Sequence, residues 1–310
     1  MKSKEIIKTC HWEITKRCNL DCLHCISLVG SKRELGKKSA LRIIDILKDW
    51  GCKEIYFTGG EPLTRQDIFS IFKKVKENKM KVGLLSNGTL INSKNIKQIK
   101  NYVDEIGISL DGASIETNDI IRGSGSFKKT IKAIDYIKEQ KIPITLYVTI
   151  CKLNINDFEN ILKLAKSLKI KSIRVNEITL RGRAFKNKKI LALDNRAKQS
   201  LMDYLLDATR KVNGKNKTRI YFSNSCDVDY DNIFISSLGY AYPCAEVYQK
   251  RPSQYLVNIL DTNKQKFDLK RKKLLKLKPK KCPYQFMVKN NLALCLNNPS
   301  IKCDYEYQNN

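Results

Sequence analysis

Nowhere in the 310 residues does an apolar run approach the roughly 20 residues that a membrane-spanning helix needs. The amino terminus, MKSKEIIK, has basic residues but no apolar segment behind them, so neither a secretory signal nor an anchor is expected and the cytoplasm is the default compartment. Acidic residues are scarce. Asp plus Glu number 31 against 59 Lys plus Arg, a formal net charge of +28, and a field of that sign can steer an acidic partner, although a compositional bias of the source gives the same excess. Eleven cysteines, an odd number without an export signal, exclude a disulfide framework as the first reading because the cytosol keeps thiols reduced. What they leave is metal or redox chemistry. A chain of this length buries a substantial core without staples.

The first two-thirds repeat one theme, a short β-branched run followed by an amphipathic helix pattern. The runs are HWEIT (11–15), KEIYFTG (53–59), KVGLLSNG (81–88), EIGISLDG (105–112), ITLYVTI (144–150) and SIRVNEI (172–178), and they read as strands. Between them, Ile68, Ile71, Phe72 and Val75 recur at helical spacing, as do Phe158, Ile161, Leu162, Ala165 and Leu168. Strict alternation implies parallel strands with right-handed crossovers, and six units fit an α/β fold, a partial (β/α)6 TIM-like barrel over 1–185. Chemistry then belongs at the carboxyl ends of the strands. A helical linker is expected over 186–218 and a small α+β domain over 219–310. Within the latter, KFDLKRKKLLKLKPKK (266–281) reads as a cationic helix, either a solvated face or a docking surface.

At the end of the first predicted strand stands RCNLDCLHC, with Cys18, Cys22 and Cys25 in eight positions. Structural zinc sites close with four ligands, usually as two separated pairs, whereas this spacing supplies three. Iron–sulfur clusters are also built on thiolates, normally four, and three on a four-iron cluster leave one iron open. At the end of the second strand, TGGEP (58–62) sets two consecutive glycines, which let a backbone approach a ligand closely, beside the carboxylate of Glu61. A tight strand-to-helix turn would need the same glycines.

Together the two motifs resemble those of the radical SAM superfamily, over residues 9 to about 180. The resemblance implies that Cys18, Cys22 and Cys25 bind a 4Fe-4S cluster and that the amino and carboxylate groups of S-adenosylmethionine (SAM) chelate its open iron. Gly59, Gly60, Glu61 and Pro62 would then hold the SAM amino group. By the same resemblance His24 lies near the adenine, Ser86 and Asn87 and the segment from Ser109 to Gly112, with Asp111 in it, contact the methionine and ribose, and Arg122 pairs with the SAM carboxylate. Asn154 and Asn176 lie where further SAM contacts occur, though buried loop-capping would select the same residues. The reaction implied is reductive cleavage of SAM to a 5′-deoxyadenosyl radical that abstracts a substrate hydrogen, with a reductant such as flavodoxin or ferredoxin.

Cys226 and Cys244, twelve residues, a glycine and four residues apart, resemble the opening of the SPASM and twitch extensions of that superfamily. A full SPASM domain continues with a CxxC block, which is absent here. The shorter twitch form is implied, with one auxiliary 4Fe-4S cluster on Cys226, Cys244, Cys282 and Cys295, and Cys303 as a substitute. Cys10, Cys52 and Cys151 remain, and core packing is the default for free thiols. Cys151, which ends the fifth strand, is also a candidate hydrogen-atom donor.

Enzymes of the SPASM and twitch type include maturases of ribosomally made peptides, so a peptide substrate with an acidic leader is expected, and the net charge suits it. The barrel begins near residue 9, so a separate peptide-recognition protein would have to supply leader binding. A small-molecule dehydrogenase or epimerase of the aminoglycoside or sugar type is the alternative. A nucleic-acid-binding iron–sulfur protein would account for the charge but leaves the SAM constellation unexplained, and no aromatic-interleaved recognition module is apparent.

Overall fold

The computed structural model describes residues 7–26, 33–212, 219–222, 232–242, 245 and 255–276. The six expected strands form where the β-branched runs lie, as β1 (Thr9–Thr15), β2 (Glu54–Gly59), β3 (Lys81–Ser86), β4 (Glu105–Ser109), β5 (Ile144–Ile150) and β6 (Ser172–Glu177). They pair in chain order and all parallel. The crossovers are α1 (Lys37–Asp49), α2 (Ile68–Glu77), α3 (Ile96–Tyr102), α4 (Ile115–Arg122), α5 (Ser126–Glu139) and α6 (Phe158–Ser167). The helical periodicity was a guide to burial: Ile68, Ile71, Phe72 and Val75 of α2 all face the core.

The wall continues past the sixth strand at both edges. Short helices α7 (Arg183–Lys186) and α8 (Lys188–Leu191) lead into α9 (Asn195–Val212), so the segment expected as a linker is the crossover to a further parallel strand, β7 (Arg219–Phe222), on β6. At the opposite edge β8 (Asn232–Ile235) pairs parallel with β1, and β9 (Tyr240–Tyr242) and β10 (Val257–Asn258) follow antiparallel. The result is one ten-stranded sheet in the order β10-β9-β8-β1-β2-β3-β4-β5-β6-β7. The cationic segment forms α10 (Lys264–Lys276), anchored by Phe267, whose ring stacks on Trp50 at 4.6 Å. No helix among the described residues is long and apolar enough to cross a membrane.

The two faces of the sheet differ in kind. Trp12, Phe57, Leu84, Ile106, Leu146 and Ile173 are buried on the helix-covered face. Their strand neighbours His11, Tyr56, Ser109, Tyr147, Arg174 and Asn176 are polar or aromatic and half-buried on the other. Parallel strands covered on both faces run almost continuously apolar, and closed barrels fill their interior with branched side chains. Alternation here marks a polar concave face, which suits a barrel that takes a ligand inside its curve.

Candidate active site

Because β1 to β6 are parallel, the loops after them converge on one rim. The loop after β1 carries the three cysteines, with Cys18 exposed, Cys22 buried and Cys25 between these extremes. Burial pushes the Cys22 thiol up to about 11, against the pull of the Arg122 guanidinium. A metal binding there must displace the thiol proton. Among the described residues no three His, Cys, Asp or Glu side chains gather closely enough to hold one metal ion. Cys18 and Cys25 line one pocket, while Cys22 is buried with its Sγ 3.6 Å from Arg122 O.

The glycine pair docks on this loop. Gly60 N–H donates to Thr15 O at 2.9 Å and Glu61 N–H to Arg17 O at 2.8 Å. A Cβ at Gly59 would lie 2.1 Å from Thr15 O, and one at Gly60 would lie 2.1 Å from Arg17 O, so no side chain fits at either position. The backbone of GGEP thereby lies against the approach to Cys18. A pocket opens beside it, lined by Lys16, Cys18, Leu20, Asp21, Cys25, Gly60 and Arg183. Two thiols of the triad and Gly60 of the glycine pair share one cavity, a donor set whose chemistry fits an iron–sulfur cluster with a ligand beside it.

The Glu61 carboxylate is committed to the fold. It is fully buried, with Oε1 accepting from Leu63 N–H at 3.1 Å, Oε2 from Asn87 N–H at 2.8 Å, and the Ser86 hydroxyl between them at 3.0 and 3.1 Å. Through these bonds Glu61 fastens the GGEP loop to β3 and to the segment that follows it. Burial raises its carboxyl to about 7, against the hydrogen bonds from Asn87, Leu63 and Ser86. Each oxygen faces a backbone N–H, so in Glu61→Gln one N–H must confront the amide NH2 in either orientation. That variant is expected to lose about 1–3 kcal/mol of stability, read as a lower midpoint of denaturant unfolding.

A second buried node joins the loops after β1, β4 and β5. Asp111 Oδ2 lies 2.5 Å from both His24 Nε2 and Arg122 Nε, while Oδ1 accepts from Thr149 N–H at 2.6 Å. Burial alone would raise the Asp111 carboxyl, but Arg122 and then His24 outweigh it and hold it at about 2. The Arg122 contact is ionic, without the angle of a hydrogen bond. Asn154 closes the node, donating to Asp111 O and Thr149 O at 2.8 and 2.9 Å and accepting from Cys151 N–H at 2.8 Å. His24, Asp111, Arg122 and Asn154, expected beside SAM, therefore brace one another behind the cysteine loop. Asp111 and Asn154 are fully buried.

Asn87 stays at the rim, its Nδ2 3.9 Å from Cys18 Sγ and 3.0 Å from Asn19 Oδ1. Ser109 and Asn176 are half-buried on the concave face. Cys151 is fully buried in the hydrophobic core, where burial pushes its thiol up to about 11, a placement that suits core packing and not an open hydrogen donor. Cys226, Cys244, Cys282, Cys295 and Cys303 lie outside the described residues. Missed from sequence was the turn after β6, where Gly182, Arg183 and Asn187 contact the cysteine loop. Arg183 lies 161 positions from the Cys22 carbonyl it binds, and only the glycine hints at a close approach.

Residues 12–165 match the model of the Radical SAM superfamily. Among curated proteins the chain is similar to the Fe-coproporphyrin III synthase of Methanosarcina barkeri, 32% identical over 228 residues that make up 71% of this chain and 56% of that protein. It is similar also to the antilisterial bacteriocin subtilosin biosynthesis protein AlbA of Bacillus subtilis, 28% identical over 250 residues, 76% of this chain and 54% of that one. The chain spans about half the length of the curated relatives it matches. Its fold is that of Streptococcus suis SuiB, solved with the precursor peptide SuiA, at a TM-score of 0.70 and 17% identity over 86% of this chain and 65% of that one.

Proposed function

Because residues 12–165 form a domain of the radical SAM superfamily, with SAM and a 4Fe-4S cluster as its cofactors, we propose that this chain removes a hydrogen atom from a ribosomally synthesised peptide, leading to a cross-link, a thioether or an epimerised residue. Bound together, cluster and SAM supply a 5′-deoxyadenosyl radical through reductive cleavage of SAM. Cys18, Cys22 and Cys25 hold the cluster, and the Gly59–Gly60 backbone receives the SAM amino group. The polar concave face holds the substrate beneath the rim and keeps bulk water from the reacting atoms. Flavodoxin or ferredoxin serves as reductant, and an auxiliary cluster on the later cysteines relays an electron or binds substrate.

The observation that carries the peptide reading is the charge of +28, which draws an acidic leader toward the protein. Similarity to AlbA, a bacteriocin biosynthesis protein, supports it. A second reading, a tetrapyrrole precursor as substrate, is favoured by similarity over 71% of this chain to Fe-coproporphyrin III synthase, whose name gives an iron porphyrin as its product. Anaerobic assay of the reconstituted protein separates them. Acidic-leader peptides should stimulate 5′-deoxyadenosine formation and change in mass. Stimulation by an iron tetrapyrrole precursor alone would move the assignment to the second reading, and no 5′-deoxyadenosine under any condition would sink both.

A further inference from the structure

The turn after β6 lends Arg183 to the lining of the pocket and also touches the cysteine loop at several points. Gly182 has φ 53°, and a Cβ there would stand 2.8 Å from Cys25 O and 2.9 Å from Ile26 O, so glycine alone lets the turn press on the loop's end. From that contact the following residues reach back. Arg183 N–H donates to Cys25 O at 2.9 Å, its Nε to Cys22 O at 2.9 Å and its Nη1 to Asp21 Oδ1 at 3.0 Å. Asn187 Nδ2 donates to Leu23 O at 3.1 Å. Three carbonyls of a loop without regular secondary structure, two of them on predicted cluster ligands, are thus taken by one turn from across the barrel. Buried carbonyls need such partners, and here the partners also fix where Cys22 and Cys25 stand.

We infer that the Gly182–Asn187 turn is a clamp that positions the cysteine loop for its cluster, with Arg183 as the positioning residue; the inference rests on the radical SAM reading but not on the identity of the substrate. Arg suits the task because its planar fork serves a carbonyl and a carboxylate at once, whereas a Lys ammonium at the end of a flexible stem serves one. The Asp21 side chain is 93% exposed, so its ion pair adds little, and the bond to the Cys22 carbonyl carries the effect. The clamp acts in the way that outer partners orient metal ligands, where their loss typically costs about 10–100-fold in metal affinity.

The test reconstitutes Arg183→Ala, Arg183→Lys, Asn187→Ala and Asp21→Asn anaerobically in the full chain. It follows iron and sulfide per chain, the electron paramagnetic resonance of the reduced cluster with and without SAM, and thermal melting of the metal-free protein. Arg183→Ala should weaken cluster retention against a chelator by about 10-fold or more and blunt the SAM-induced spectral change. Its metal-free melting should fall only by the few degrees that one lost hydrogen bond costs, too little to account for that loss of retention. Arg183→Lys should recover part of the retention, Asn187→Ala should lose part, and Asp21→Asn should lose less than Arg183→Ala. Full retention and an unaltered SAM response in Arg183→Ala would overturn the inference. So would a loss of metal-free stability in Arg183→Ala large enough to account for its loss of retention, which would make the turn a general brace. An unsubstituted protein that binds no cluster fails the radical SAM reading itself, a result distinct from any variant's.

Discussion

Cys22→Ala is expected to reduce SAM-dependent 5′-deoxyadenosine formation to background and to remove the iron of the SAM-binding cluster. Cys22 is the buried member of the triad, packed so that its Sγ faces Arg122 O at 3.6 Å. Removing it leaves two ligands where the cluster takes three, and the loss should exceed the roughly 10–100-fold produced by changes one step removed from a metal. Cys10→Ala and Cys52→Ala are the controls. Both thiols are buried at the opposite end of the strands, and Cys52 is satisfied there by Lys8 O and Glu54 O at 3.6 and 3.2 Å. They should cost stability alone, on the order of 1 kcal/mol. Iron retained in Cys22→Ala at the level of the unsubstituted protein would refute the assignment.

Gly60→Ala should be nearly as damaging by a different route. The new methyl group would stand 2.1 Å from Arg17 O and 2.9 Å from Lys16 O, backbone atoms of the strand exit that leads to Cys18. Relief requires the two loops to part, at the cost of the 2.9 Å bond from Gly60 N–H and the 2.8 Å bond from Glu61 N–H. Overpacking of this kind costs about 1–3 kcal/mol. Because the displaced backbone lines the pocket, SAM affinity measured by anaerobic titration should fall by at least about tenfold, equivalent to about 1.4 kcal/mol. Gly36→Ala, where nothing lies within 4 Å of a new Cβ, should leave affinity unchanged. Equal affinities in the two variants would sink the cradle argument.

What could be read from sequence was the periodic part. Strand and helix alternate in composition, so β1 to β6 and the buried faces of α2 and α6 follow from local pattern. Cysteine spacing and paired glycines likewise report a local need. Unreadable were the contacts that bring distant loops together. Glu61 appears in sequence as a free carboxylate beside a glycine pair, and only the arrival of Ser86 and Asn87 shows that its oxygens are occupied. Asp111 looks like a rim residue until His24, Arg122 and Thr149 close over it. The short strand β8 carried a hydrophobic run, but nothing local says that its neighbour is β1.

That last pairing bears on the order of events during synthesis. β1 is made before the other described strands, yet one of its two neighbours, β8, follows more than 200 residues later. Until then one edge of the strand that feeds the cysteine loop stays unpaired, and the loop's clamp residues, near position 183, also come late. Such long-range closure slows folding and prolongs exposure of a bare edge. Cells making this protein should therefore gain more folded protein from slower synthesis or chaperone supply than from extra iron alone, since the cysteine loop meets its partner Arg183 only once the 161 positions that separate Arg183 from Cys22 have been made.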